Sequence, residues 1–222
     1  MGTGGFSLPL PDSGLGAAAG FVVNDRINVV GLISDADANR FEFGTVGPGN
    51  LFTAAELQFK LFPLTENAGY SKLTVCHHDG TEGGQPRGGS TGNEGWSVFL
   101  KHEQELTCDG RAIAIGRWGR SSNKSAIYDE LATAHFLLYD PFRSGEYAPE
   151  DLIHADVIGM AYNWVQPSVP GARDESNVEL FYRLPLFPLT DMTLSYQEIV
   201  NPALDPTNDA VSVFSIRFRS TF

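Results

Sequence analysis

The sequence predicts an all-β protein, an antiparallel up-and-down transmembrane β-barrel, on three observations. The 222-residue chain breaks into eleven segments of about ten residues, rich in Val, Ile, Phe, Tyr and Thr and separated by Gly, Pro, Asn and Asp clusters. Several of these segments alternate apolar and polar residues, the period of a strand with two different faces. Short and long connections largely take turns along the chain, as they do when tight turns lie on one membrane side and longer loops on the other.

Taken in order, the segments run over 15–23, 26–34, 51–61, 70–79, 95–106, 111–119, 127–139, 152–165, 178–187, 192–200 and 211–222. The first two are joined by Asn24-Asp25, a turn pair, and the third sets Leu57, Phe59 and Leu61 opposite Glu56, Gln58 and Lys60. The seventh is the least regularly patterned. Val178, Leu180, Tyr182 and Leu184 of the ninth oppose Glu179 and Arg183, with Phe181 an exception on the charged side. In the last, Phe214, Ile216, Phe218 and Phe222 share one face, and Val213, Ser215, Arg217, Arg219 and Thr221 the other. Trp164, Tyr162, Tyr182, Tyr196, Phe218 and Phe222 are expected near strand ends, where bilayer interfaces gather aromatics.

The connections at 24–25, 62–66, 107–110 and 188–191 are short, and those at 35–50, 80–94, 166–177 and 201–209 are longer. The link at 140–151 breaks that alternation. Leu61-Phe-Pro-Leu-Thr-Glu66 is echoed by Leu186-Phe-Pro-Leu-Thr-Asp191, each with a proline that presets a tight turn.

Composition narrows the classes further. Apolar residues make up 42% and charged residues 19%, and 24 Gly with 13 Pro exceed the 15 Lys and Arg, so helix formers are scarce and a helical bundle is excluded. Acidic residues number 27 and the net charge is -12, with no basic run long enough to follow a phosphate backbone, so nucleic acid is not an expected partner. The longest apolar candidate for a membrane helix, Gly14 to Val23, is too short and Gly-rich. The first residues, Met1 to Pro11, carry no basic residue ahead of an apolar stretch, so either the protein stays inside or its start is missing. Cys76 and Cys108 have no paired spacing and are expected as free thiols.

An aromatic residue closing an alternating last strand, here Phe222 with Phe214 and Phe218 on its face, resembles the assembly signal of outer-membrane barrels. Further stretches carry a closer likeness: Asp156-Val-Ile-Gly-Met-Ala-Tyr-Asn-Trp164, Gln166-Pro-Ser168, Val178-Glu-Leu-Phe-Tyr-Arg183, and Gln197 with Asn201-Pro202. Gly92-Asn-Glu-Gly-Trp-Ser-Val-Phe99 and Gly116-Arg-Trp-Gly119 extend it upstream. In that order and spacing the chain resembles the carboxy-terminal region of the carbohydrate-selective porin family (OprB-like), whose full members are longer barrels of about 16 strands. The resemblance covers most of the chain. It implies one porin domain over residues 1–222, as an amino-terminally truncated fragment, in the outer membrane of a Gram-negative bacterium. It also implies passive diffusion of small sugars and other small solutes, with no enzymatic activity and no cofactor. Outer-membrane lipid and the barrel-assembly machinery are the implied partners, and homo-oligomerisation stays open. The missing signal peptide and Cys76-His77-His78, where aromatic and polar strand residues are expected, depart from the family pattern.

Glu179, Arg183, Gln197, Arg217 and Arg219 are odd-numbered in three consecutive strands whose even positions are apolar, so they are expected to converge on one lumen wall. Opposed charges there would orient polar solutes, and guanidinium groups offer paired donors to sugar hydroxyls. The plainer account is that they solvate the lumen and pair with one another. A metal or acid-base cluster of His77, His78 and Asp79 with His102 and His135 is disfavoured, because neighbouring strand residues point to opposite faces. Gly83 to Gly89 lacks the Lys and following helix of a phosphate loop and reads as a surface loop. A soluble carbohydrate-binding β-sandwich is the runner-up, separable by detergent dependence. A sandwich hydrolase ranks last, because no Ser sits in a G-x-S-x-G elbow.

Deleting Phe222 should impair outer-membrane insertion of an intact barrel more than its burial of about 1.5–3 kcal/mol accounts for. Heat-modifiable barrel accumulating at normal levels without Phe222 would sink the signal reading.

Overall fold

In the computed structural model, which describes residues 15–36, 51–60, 69–81, 84–86, 90–142, 155–187, 189–203 and 205–220, the chain is nearly all strand. The strands are β1 (Gly16–Asn24), β2 (Ile27–Asp35), β3 (Leu51–Phe59), β4 (Gly69–His78), β5 (Gly95–Glu105), β6 (Ala112–Ser121), β7 (Tyr128–Tyr139), β8 (Val157–Pro167), β9 (Glu175–Phe187), β10 (Thr190–Val200) and β11 (Ala210–Ser220). All eleven form one sheet in sequence order, each antiparallel to the next. The expected all-β, up-and-down arrangement is therefore what forms. Among the described residues there is no second sheet, so the two-layer sandwich is not formed. The sheet is not closed, and β1 and β11 are its edges.

Register assigns every side chain to a face. Glu179 lies opposite Gln197, and Leu180 opposite Tyr196. Leu194 lies opposite Ile216, and Thr193 opposite Arg217. Carried strand by strand, this pairing puts Leu57, Val75, Leu100, Phe136, Met160, Leu180, Leu194 and Ile216 on one side of the sheet. Glu56, Lys72, Lys101, Arg117, Thr133, Asn163, Glu179 and Gln197 share the other. On the inner strands the apolar side is the open one: Met160 and Leu180 are each 54% exposed and Leu100 41%, whereas Thr133 on the polar side is 5% exposed; on edge strand β11 both sides are exposed. A flat lone sheet would expose both sides alike, so this sheet curls toward its polar face. That face is not polar throughout. Phe52 and Cys76 are buried with Ala36 near one end, and Leu32, Ala54 and Phe99 pack against them.

The links sort only partly by length. Residues 25–26, 60–68, 106–111, 140–156 and 188–189 connect strands at one end, and 36–50, 79–94, 122–127, 168–174 and 201–209 at the other. Besides 140–156, two links depart from the expectation: 60–68 on the short-turn end is as long as 201–209, and 122–127 on the long-loop end is a tight turn. Asn123 and Lys124 both adopt left-handed φ values, 54° and 55°, and Ser125 N donates to Ser122 O at 3.0 Å. Longer links at this end are stitched to it: Thr91 N donates to Ser125 O at 3.0 Å, and Ser168 N to Ile127 O at 3.0 Å. Both sequence echoes fall on the opposite end, although 61–66 and Pro188 lie outside the described residues. Cys76 is buried and Cys108 exposed, and both are free.

Phe181, the exception on the charged face, has a packing role. It pairs with Gly159, and a Cβ placed on Gly159 would come within 2.2 Å of the Phe181 ring and 3.0 Å of Leu137. The ring covers the glycine, a cross-strand filling of the gap a missing side chain leaves. Gly159→Val should therefore lower stability by about 1–3 kcal/mol through overpacking, read as a lower urea midpoint of the folded chain. In a Phe181→Ala background the same substitution should cost much less; equal costs would show that the two residues do not meet.

In the 106–111 link, the Thr107 hydroxyl and the Arg111 backbone and guanidinium hold the Asp109 carboxyl down to about 2. Because the folded value lies below the unfolded one, the stabilisation is present above the ordinary carboxylate range and is lost as pH falls through about 2. A carboxyl NMR titration should place Asp109 near that value and move it upward in Thr107→Val. An ordinary carboxylate midpoint in the unsubstituted chain would contradict the turn geometry.

Candidate functional site

Alternation puts Glu179, Gln197 and Arg217 on the polar face, and register brings them to one place. Glu179 faces Gln197 across β9 and β10, and Arg217 faces Thr193 across β10 and β11. With Asn163, Asn177, Ser195 and Ser215 they line a polar recess of about 250 Å³. This is smaller than the pockets of about 300–1,000 Å³ that hold drug-sized ligands. The Ser195 and Ser215 hydroxyls lie 2.7 Å apart, bridging the last two strands at its floor.

The other two expected residues share the face but not the recess. Arg183 pairs with Thr193 from the opposite side to Arg217, and its Nε is shielded without a protein hydrogen-bond partner. Arg219 lies opposite Asp191, one step nearer the strand end. Thus the five residues expected on one wall divide into a recess group and two flanking cations. Asn163 and Asn177 escaped sequence reasoning. Their signal was available, since both have the parity of Glu179 once β8 is aligned with β9.

A second polar group occupies the same face on β3 to β5. Lys72 Nζ lies 3.0 Å from Glu56 Oε1, whose other oxygen accepts from Thr74 Oγ1 at 3.2 Å and whose Oε1 also accepts from Gln58. Lys101 Nζ lies 2.8 Å from Glu103 Oε2. These pairs are partly exposed and worth only about 0–1 kcal/mol each, so they shape the charge of the wall rather than hold the sheet together.

The histidines do not converge. His77 lies on the open face, with its ring 4.5 Å from that of Trp96, its Nδ1 3.2 Å from Asp79 and its Nε2 3.6 Å from Glu94. His78, on the other face, is buried and accepts from Gly80 N at 2.8 Å through Nδ1. His102 is bonded to the Ser71 hydroxyl on the open face at 2.8 Å, while His135 lies on the sheltered face opposite Ala161. Among the described residues no group of three or more His, Cys, Asp or Glu side chains is placed to hold a metal ion.

On the open face Leu180, Tyr182, Leu194, Tyr196, Phe214 and Ile216 border an apolar groove of about 610 Å³, with the Tyr196 and Phe214 rings 4.7 Å apart. Phe218 is 65% exposed there, and Phe222 lies outside the described residues. Tyr162, Tyr182 and Tyr196 sit well inside β8, β9 and β10 and not at their ends, contrary to the expectation. Chemically, the described residues of the polar wall offer hydroxyls, amides and both signs of charge, an arrangement suited to contacting polar solutes. No protein-family model matches the chain, and no curated protein matches it at a significant level.

Proposed function

We propose that this sheet is the wall of an outer-membrane pore through which carbohydrates and other small solutes diffuse passively, in the manner of the carbohydrate-selective porins that the sequence resembles. The observation that carries the reading is the inverted exposure: the apolar side of the sheet is the open side, and the charged and amide side is the sheltered one. In water that arrangement is costly, since broad exposed apolar surface is what soluble monomers avoid. In a membrane it is the stable one, with the apolar side against lipid and the polar side around water. The recess of Glu179, Gln197 and Arg217, with Arg183 and Arg219 beside it, is then a solute-contacting part of the lumen. Transport by diffusion needs no cofactor.

Closure follows from parity. Eleven alternating strands leave β1 and β11 running the same way, so a barrel antiparallel throughout needs an odd number of further strands between them. Unpaired edge groups facing lipid cost several kcal/mol each, so in a membrane the edges must be paired.

Replacing Arg183, Arg217 and Arg219 together by Ala should leave folding nearly untouched, because all three lie on the polar face and not on the apolar one, and should lower anion relative to cation permeability of an intact barrel. Lysine at the same positions should preserve ion selectivity yet alter sugar flux, since it keeps the charge and loses the planar fork. Reversal potentials and liposome swelling with neutral sugars are the measurements. Both unchanged in the triple Ala variant would remove these residues from the permeation path. Absence of any conductance from a barrel containing this sheet would remove the pore reading itself.

A further inference from the structure

Register draws one line across the sheltered face that no local pattern reveals: Lys72, Lys101, Arg117, Thr133, Asn163 and Asn177, each directly opposite the next from β4 to β9. Its first half places three cations side by side, which destabilises a sheet unless something offsets it. Glu56 offsets Lys72 and Glu103 offsets Lys101. Arg117 has no carboxylate within ion-pair distance among the described residues, and its neighbours along the same face of β6, Ile115 and Gly119, are uncharged. Across from it stand Lys101 and Thr133, and diagonally Glu103, which is engaged with Lys101, and His135. A half-buried guanidinium next to a like charge is a standing demand for an anion.

The second half of the line makes a different demand. Thr133 is 5% exposed and its Oγ1 has no protein partner, and Asn177 Oδ1 is likewise shielded and unpartnered. Asn163 and Asn177 also line the recess that holds Glu179 and Gln197, so the line leads into it. A planar cation, a hydroxyl and two amides thus follow one another at the inter-strand step of about 4.8 Å. A neutral sugar answers only the hydroxyl and amide part, and a simple anion only the cation.

We infer that this line is a binding track for acidic sugars, polyhydroxylated solutes bearing one carboxylate. The Arg117 guanidinium takes the carboxylate through paired N–H···O bonds, Thr133 and Asn163 take hydroxyls of the same ring, and Asn177, three inter-strand steps or about 14 Å from Arg117, is reached by a second ring of a longer solute. The inference rests on the reading that the sheltered face meets solute, and it narrows the solute class beyond neutral carbohydrate.

The whole chain, folded in detergent micelles, would be titrated calorimetrically with glucuronate, glucose and acetate. Glucuronate should bind at least about tenfold more tightly than either of the others, since a charge-assisted pair is roughly twice as strong as a neutral hydrogen bond. Arg117→Gln should erase that preference by weakening glucuronate far more than glucose, and Thr133→Val should weaken both sugars. If Arg117→Gln fails to reach wild-type strand content by circular dichroism, Arg117→Lys serves in its place, and it should weaken glucuronate severalfold. Equal affinities for glucuronate and glucose, no binding of any of the three, or glucuronate binding unchanged by the Arg117 replacement would each overturn the inference. Bilayer conductance of an intact barrel is the separate readout: conductance without a glucuronate preference overturns the track alone, and a glucuronate preference without conductance overturns the pore alone.

Discussion

Cross-strand register, held by unbroken antiparallel pairing from β1 to β11, is the constraint on which the remaining features depend. Side chains alternate with a period of two, so a slip of one residue in any ladder would carry the whole hydrophobic set of that strand to the other face. The pairing runs without interruption through most of the sheet, with irregularities only at the ends of three ladders, near Asn24, Tyr128 and Thr190. With register held, Glu179 must face Gln197 and Leu180 must face Tyr196, and the separation of polar from apolar side chains follows across the sheet.

That separation determines what kind of solvent suits each face. On the inner strands side chains such as Met160, Leu180 and Leu100 stand open, while Thr133, Glu56 and Asn177 are sheltered. Partly exposed ion pairs such as Lys72 with Glu56 contribute little to stability, so the polar wall is not retained for the energy of its pairs. Its value lies in charges and donors held at set positions by a backbone they do little to stabilise. Small residues make room on the same wall: Ala161 separates His135 from Glu179, and Gly159 admits the Phe181 ring. The loop end adds cohesion of another kind, with links from four hairpins bonded to one another through backbone groups and through Ser168, Arg173 and Glu175.

By itself the sequence determined the all-β class, the eleven strands nearly to their ends, and the face on which Glu179, Arg183, Gln197, Arg217 and Arg219 stand. All of these follow from local alternation and from turn residues, signals that act over a few positions. Which of those side chains meet was decided only by tertiary structure. Glu179, Gln197 and Arg217 share a recess that Arg183 and Arg219 flank, and Asn163 and Asn177 complete it from strands whose role no single segment announces. The covering of Gly159 by Phe181 and the line from Lys72 to Asn177 were equally hidden. Each depends on how far one strand is shifted along its neighbour. That shift is a property of pairs of strands separated by variable links, and the period of two within each strand is the same whatever its value.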